Sequence, residues 1–94
     1  MNYLQKLASE IRANVDSDDL PDQNTESLFL NYAALLLAKG RDVTAEDIHN
    51  AWAAWMTSKD PAHDALRPFK ELSARTQQED IPYLRAVQKT ALQL

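Results

Sequence analysis

The side chains best suited to chemistry in this 94-residue chain are His49, Trp52, His63, Arg67 and Phe69, which fall between Thr44 and Leu72. That stretch holds both tryptophans, both histidines and two of the four prolines. Arg67 offers a planar fork of donors beside Pro68, which stiffens the turn, and Phe69, which supplies a ring face. Such a corner suits a phosphate carried on a stackable base. The plainer alternative is a surface ion pair from Arg67 to Asp64 or Glu71. His49 has a similar choice between a phosphate, a metal and a backbone carbonyl, and a half-buried ring bonded to the corner is the simplest arrangement. His63 has no second ligand at metal spacing, so no metal site is expected. Trp52 and Trp55 share one helix face, where tryptophans serve more often as core than as a ligand platform.

Catalysis needs a nucleophile with an activating base, a carboxylate pair in one pocket, or a metal. None of these patterns is present. The serines and acids sit where helix caps and loops already explain them, so no enzymatic activity and no cofactor are expected.

Helices must position the candidate residues. Tyr3, Leu4, Leu7, Ala8 and Ile11 recur at helical spacing and predict an amphipathic helix over 3–14. The acidic run from Asp16 to Asp22, with Pro21, reads as a loop, and it lacks the glycine and terminal glutamate of a calcium-binding loop. A second helix is expected from about Thr25, with Thr25 or Asn24 as cap, to Lys39, and Gly40 stops it. Its residues Leu28, Phe29, Tyr32, Ala33, Leu35, Leu36 and Leu37 cover more than half the circumference, which makes it the centre of the core. Thr44 and Asp47 form a capping pair for a third helix, with Val43 placed to staple Ile48; Ile48, Ala51, Trp52, Trp55 and Met56 form its stripe. Asp60-Pro61 ends it. The segment 60–72 reads as an ordered, irregular corner anchored by Leu66, Phe69 and Leu72. Ser73 can cap one more turn, and Asp80 a last helix with Pro82 in its first turn. Ile81, Leu84, Val87, Ala91 and Leu94 make the buried stripe of that helix, while Arg85, Lys89 and Gln93 face water. The fold class is therefore all-α: a compact single domain over 1–94, with about four main helices and a proline-containing corner between the third and fourth.

Composition narrows the partners. Residues 1–47 carry nine acids against four bases, and residues 48–94 five against six. A chain of net charge −4 without a basic stripe is poorly suited to nucleic-acid polymers. The longest apolar run, Leu28 to Ala38, is too short for a membrane span, and the first residues lack a secretory pattern. With no cysteine, the expected setting is cytoplasmic.

Ile48-His49-Asn50-Ala51-Trp52, followed by His63-Asp64-Ala65-Leu66-Arg67-Pro68-Phe69-Lys70-Glu71-Leu72 and Asp80, resembles the RyR-type domain. In that pattern a helix carries a His-x-x-Trp pair, and a histidine then precedes a proline-aromatic corner. The likeness spans about 44–92 and leaves 1–43 as a helical N-terminal extension. The whole chain also resembles a group of small uncharacterised actinobacterial proteins. For prokaryotic RyR-type domains the resemblance implies sensing of nucleotide-like ligands and no catalysis. Two functions follow as expectations. One is a non-enzymatic sensing module for a nucleotide-like anionic small molecule, using Arg67, Phe69, Trp52, His49 and His63. The other is a helical protein-interaction module, a homodimer or a partner-binding surface, with no small-molecule ligand.

Overall fold

The structure, a computed structural model, describes residues 1–20 and 25–94. Among the described residues it is helical throughout: α1 (Tyr3–Ala13), α2 (Glu26–Lys39), α3 (Ala45–Thr57), the single-turn α4 (Ala74–Gln78) and α5 (Ile81–Gln93). Short 3₁₀ turns occupy Ser17–Asp19, Gly40–Asp42 and Phe69–Glu71. The all-α class and the four long helices agree with the sequence. Pro21, Asp22 and the candidate cap Asn24 lie outside the described residues. No helix among those described is long and apolar enough to cross a membrane.

Local chemistry sets most helix starts. Asn2 and Gln5 form a reciprocal cap on α1, each backbone N–H donating to the other's side chain at 3.0 and 2.9 Å. At α3, the Asp47 carboxylate accepts from the Thr44 N–H at 2.9 Å while the Thr44 hydroxyl accepts from the Asp47 N–H at 3.2 Å. Lys39 reaches the same carboxylate at 3.0 Å, and these donors, the Thr44 N–H first, hold the Asp47 carboxyl below its ordinary range. Thr25, by contrast, is buried and makes no side-chain cap to α2. Gly40 ends α2 at φ +58°, and a Cβ there would meet nothing within 4 Å, so glycine serves its backbone angle alone.

The core lies around α2. Leu28, Phe29, Tyr32, Ala33 and Leu36 meet Leu7, Ala8 and Ile11 of α1, Ile48 and Trp55 of α3, and Ala86 and Val87 of α5. Val43 and Ile48, the expected staple, are both buried. Tyr3, Leu37 and Leu94, expected on buried stripes, are 72, 53 and 73% exposed. All three lie at or near helix ends, and periodicity fixes which face is apolar without saying where along the helix its neighbour stops. The far end of α5 is tied to α1 by Asn14, whose amide donates to the buried Thr90 hydroxyl at 2.8 Å and to Gln93 at 3.1 Å. Tyr83 donates its hydroxyl to the Asp19 carbonyl at 2.8 Å and so anchors the start of α5 to the turn after α1.

The corner from Asp60 to Leu72 is irregular, as expected, and is held from both sides. Gln77 of α4 donates to the Phe69 and Leu72 carbonyls at 2.9 and 3.2 Å. Ser73 caps α4, accepting from the Thr76 N–H at 3.2 Å. The corner thus closes back over α3 and leaves a hollow between α3 and α5.

Candidate functional site

That hollow is a cavity of about 310 Å³, at the lower end of the size range of small-molecule pockets. Its walls are aromatic on two sides. Tyr32 of α2 and Tyr83 of α5 lie 5.8 Å apart at 33°, backed by Phe29. Also in the lining, His49 stacks on Trp52 at 5.7 Å and 28°, and His63 from the corner meets the Trp52 ring nearly perpendicular at 5.1 Å. Asp80 and Glu79, at the entrance to α5, belong to the lining together with Thr25 and Thr76, and Leu28, Trp55, Met56 and Ala65 complete it.

Both histidines are held by backbone groups that fix their tautomers. The buried His49 ring donates Nε2–H to the Arg67 carbonyl at 2.7 Å, since a carbonyl can only accept. This bond joins α3 to the corner. His63 Nδ1 accepts from the Ala65 N–H at 3.0 Å, so the neutral ring carries its proton on Nε2. Among the described residues no group of three His, Cys, Asp or Glu side chains comes together in metal-binding geometry.

Asp80 departs from its expected role. It stands at the N-cap of α5, but in helical conformation, and its side chain makes no cap bond. Its carboxylate accepts no hydrogen bond from any described residue and lines the cavity half-buried. Burial pushes its carboxyl up from 3.8 to about 6; an imidazolium at His49 would draw it down, and Glu79 adds to the rise. The folded protein therefore holds a proton on Asp80 that the unfolded chain releases between about pH 4 and 6. Its contribution to stability is fully present below that window and is lost as the pH rises through it. In a dry site the shift would amount to about 3 kcal/mol, and screening at a half-exposed group lowers this to about 1 kcal/mol. Asp80→Asn is expected to gain about 1 kcal/mol in urea unfolding at about pH 7.5, and nearly nothing at about pH 4. An equal gain at both pH values would contradict a buried, uncompensated charge.

The five candidate residues separate. His49, Trp52 and His63 line the cavity; Arg67 and Phe69 do not. Phe69 packs behind His49, with ring centres 6.1 Å apart. The Arg67 side chain is exposed, along an adjoining depression that shares His63, Ala65, Thr76 and Glu79 with the cavity, and it forms an ion pair with neither Asp64 nor Glu71. Only the Arg67 carbonyl faces the histidine. Trp55, next to Trp52 in the same stripe, is core: its indole N–H donates to the Ser27 hydroxyl at 3.0 Å, and Lys59 sits 4.7 Å over its ring. Tyr32 was legible as apolar core but not as a cavity wall. The roles of Tyr83 and Asp80 are set by chain segments far apart in sequence, and the local pattern around Asp80 suggests a cap.

A larger depression of about 570 Å³ lies between α1 and the start of α2, lined by Met1, Gln5, Arg12 and Glu26 among others. Phe29 is the one aromatic in its lining, and Met1 on its edge is 91% exposed. The depression along Arg67, at about 640 Å³, is larger still, so size does not single out a site, and chemistry favours the aromatic cavity.

The RyR-type resemblance does not hold. It makes residues 1–43 an extension, whereas Phe29 and Tyr32 form the centre of the core and the aromatic wall. The His49 spacing to the corner has a local explanation in its bond to the Arg67 carbonyl. No curated protein and no solved structure matches the chain. A family model does match, over residues 2–92 and so through all four long helices, and it is not an RyR-type domain: the chain belongs to the family described as a domain of unknown function, DUF7701.

Proposed function

We propose that the protein is a non-catalytic binding module that takes a small organic molecule into the cavity between α3 and α5. The observation that carries this reading is the pairing of an aromatic lining with a half-buried carboxylate that accepts no hydrogen bond from any described residue. A protein folding for stability alone has reason to pair Asp80 or to turn it into the α5 cap; left open toward a hollow, it serves a guest.

Thermal unfolding against a panel of small amines, aromatic acids, mono-, di- and cyclic nucleotides, NAD and ADP-ribose tests this directly. A ligand at a hundred times its dissociation constant stabilises by about 2.7 kcal/mol, which moves the midpoint by roughly 10 °C or more in a domain of this size. At least one class is expected to give such a shift, and Trp52→Ala to reduce it. A flat response across the panel would overturn the reading in favour of a helical protein-interaction module.

A further inference from the structure

The charges around the cavity are one-sided. Of its lining residues, Asp80 and Glu79 are acids and none is lysine or arginine. The ring nitrogens that already have partners, His49 Nε2 on the Arg67 carbonyl and His63 Nδ1 on the Ala65 N–H, are committed to backbone. Arg67, the group that favoured an anion in the sequence, is exposed beyond the corner and outside the lining. An anionic guest would enter beside two carboxylates with no lysine or arginine in the lining itself, in a site where low polarity enlarges the repulsion. A cation would find the opposite: two carboxylates, of which Asp80 is engaged by no described residue, and the half-buried aromatic rings of Trp52 and Tyr83. The fold already makes one such contact nearby, Lys59 over the Trp55 ring at 4.7 Å.

Resting on the cavity's role as a ligand site, we propose that its guest is an organic cation of the alkylammonium class, its charge set against Asp80 and its alkyl groups against Trp52 and Tyr83. An alkylated nitrogen asks for few hydrogen-bond acceptors, which matches a lining dominated by rings. The position of Asp80 fits the same requirement, because a carboxylate spent on capping α5 would leave the cavity only the more exposed Glu79 as counter-charge. The rise of its carboxyl toward 6 agrees with a charge awaiting a partner.

The test is isothermal titration of the wild-type protein with choline and with 3,3-dimethyl-1-butanol, which has the same shape with carbon in place of the charged nitrogen, and with AMP as the anionic comparison. Choline is expected to bind, the neutral alcohol at least about tenfold more weakly, and AMP not at all. Asp80→Asn, whose fold is checked by its melting curve, is expected to weaken choline by about tenfold or more and to leave the alcohol unchanged. A peptide carrying trimethyl-lysine distinguishes the source: tighter binding than choline assigns the cation to a protein side chain, weaker binding to a free small molecule. Equal binding of choline and the alcohol, or choline binding indifferent to Asp80→Asn, would overturn the cationic class. If the alcohol or AMP binds in place of choline, the cavity stands as a ligand site and the charge assignment falls. If these probes and the melting panel all fail, both fall together.

Discussion

Phe29→Ala is expected to cost about 3 to 5 kcal/mol, against a total stability of about 5 to 14 kcal/mol for a domain this size. Phe29 is 1% exposed and sits at the meeting point of the whole bundle, edge-on to Tyr32 at 5.5 Å and 6.3 Å from Tyr83. Removing it opens a cavity that the aromatic partners cannot close without abandoning the wall they form. In urea the midpoint should fall steeply with little change in slope, as in a loss of stability without a new denatured state. A loss under about 1 kcal/mol would mean that α2 is not the centre of the core.

The second large effect separates two residues that periodicity treats alike. Trp55→Ala is expected to cost about 3 to 5 kcal/mol, and Trp52→Ala only about 1 to 2 kcal/mol. Trp55 is 8% exposed and its indole N–H is bonded to Ser27 in the first turn of α2, so truncation removes packing and leaves that hydroxyl without its partner. Trp52 is half-buried, stacked on His49 and lining the cavity. Parallel chemical denaturation of the two variants checks the difference. Equal losses would make Trp52 a core residue and remove one wall from the site.

These two tryptophans also show how far sequence carries. The caps of α3 and α4 were legible because caps are local: Thr44 and Asp47 are three residues apart, and so are Ser73 and Thr76, whereas Thr25 makes no cap bond. The bond from His49 to the corner was also legible as the simplest use of that ring. What could not be read depends on how the elements are rotated against one another. Arg67, two residues from Phe69, was expected to share its site, yet the corner turns the Arg67 side chain outward while its carbonyl meets His49. Asp80 looks like a cap because it precedes a helix with proline in its first turn, and only the fold shows its carboxylate left to the cavity. The bonds from Asn14 to Thr90 and from Tyr83 to Asp19 join opposite ends of the chain, beyond the reach of any local pattern.

The cavity's role is tested most directly by following the two indole N–H resonances during titration with whichever member of the panel gives the largest melting shift. The Trp52 resonance is expected to move and saturate; Trp55 also borders the cavity but is only 8% exposed with its N–H tied to Ser27, so its resonance is expected to move less. A titration that leaves Trp52 in place, or one whose shifts gather around Gln5 and Arg12 between α1 and α2, would contradict the assignment of the site.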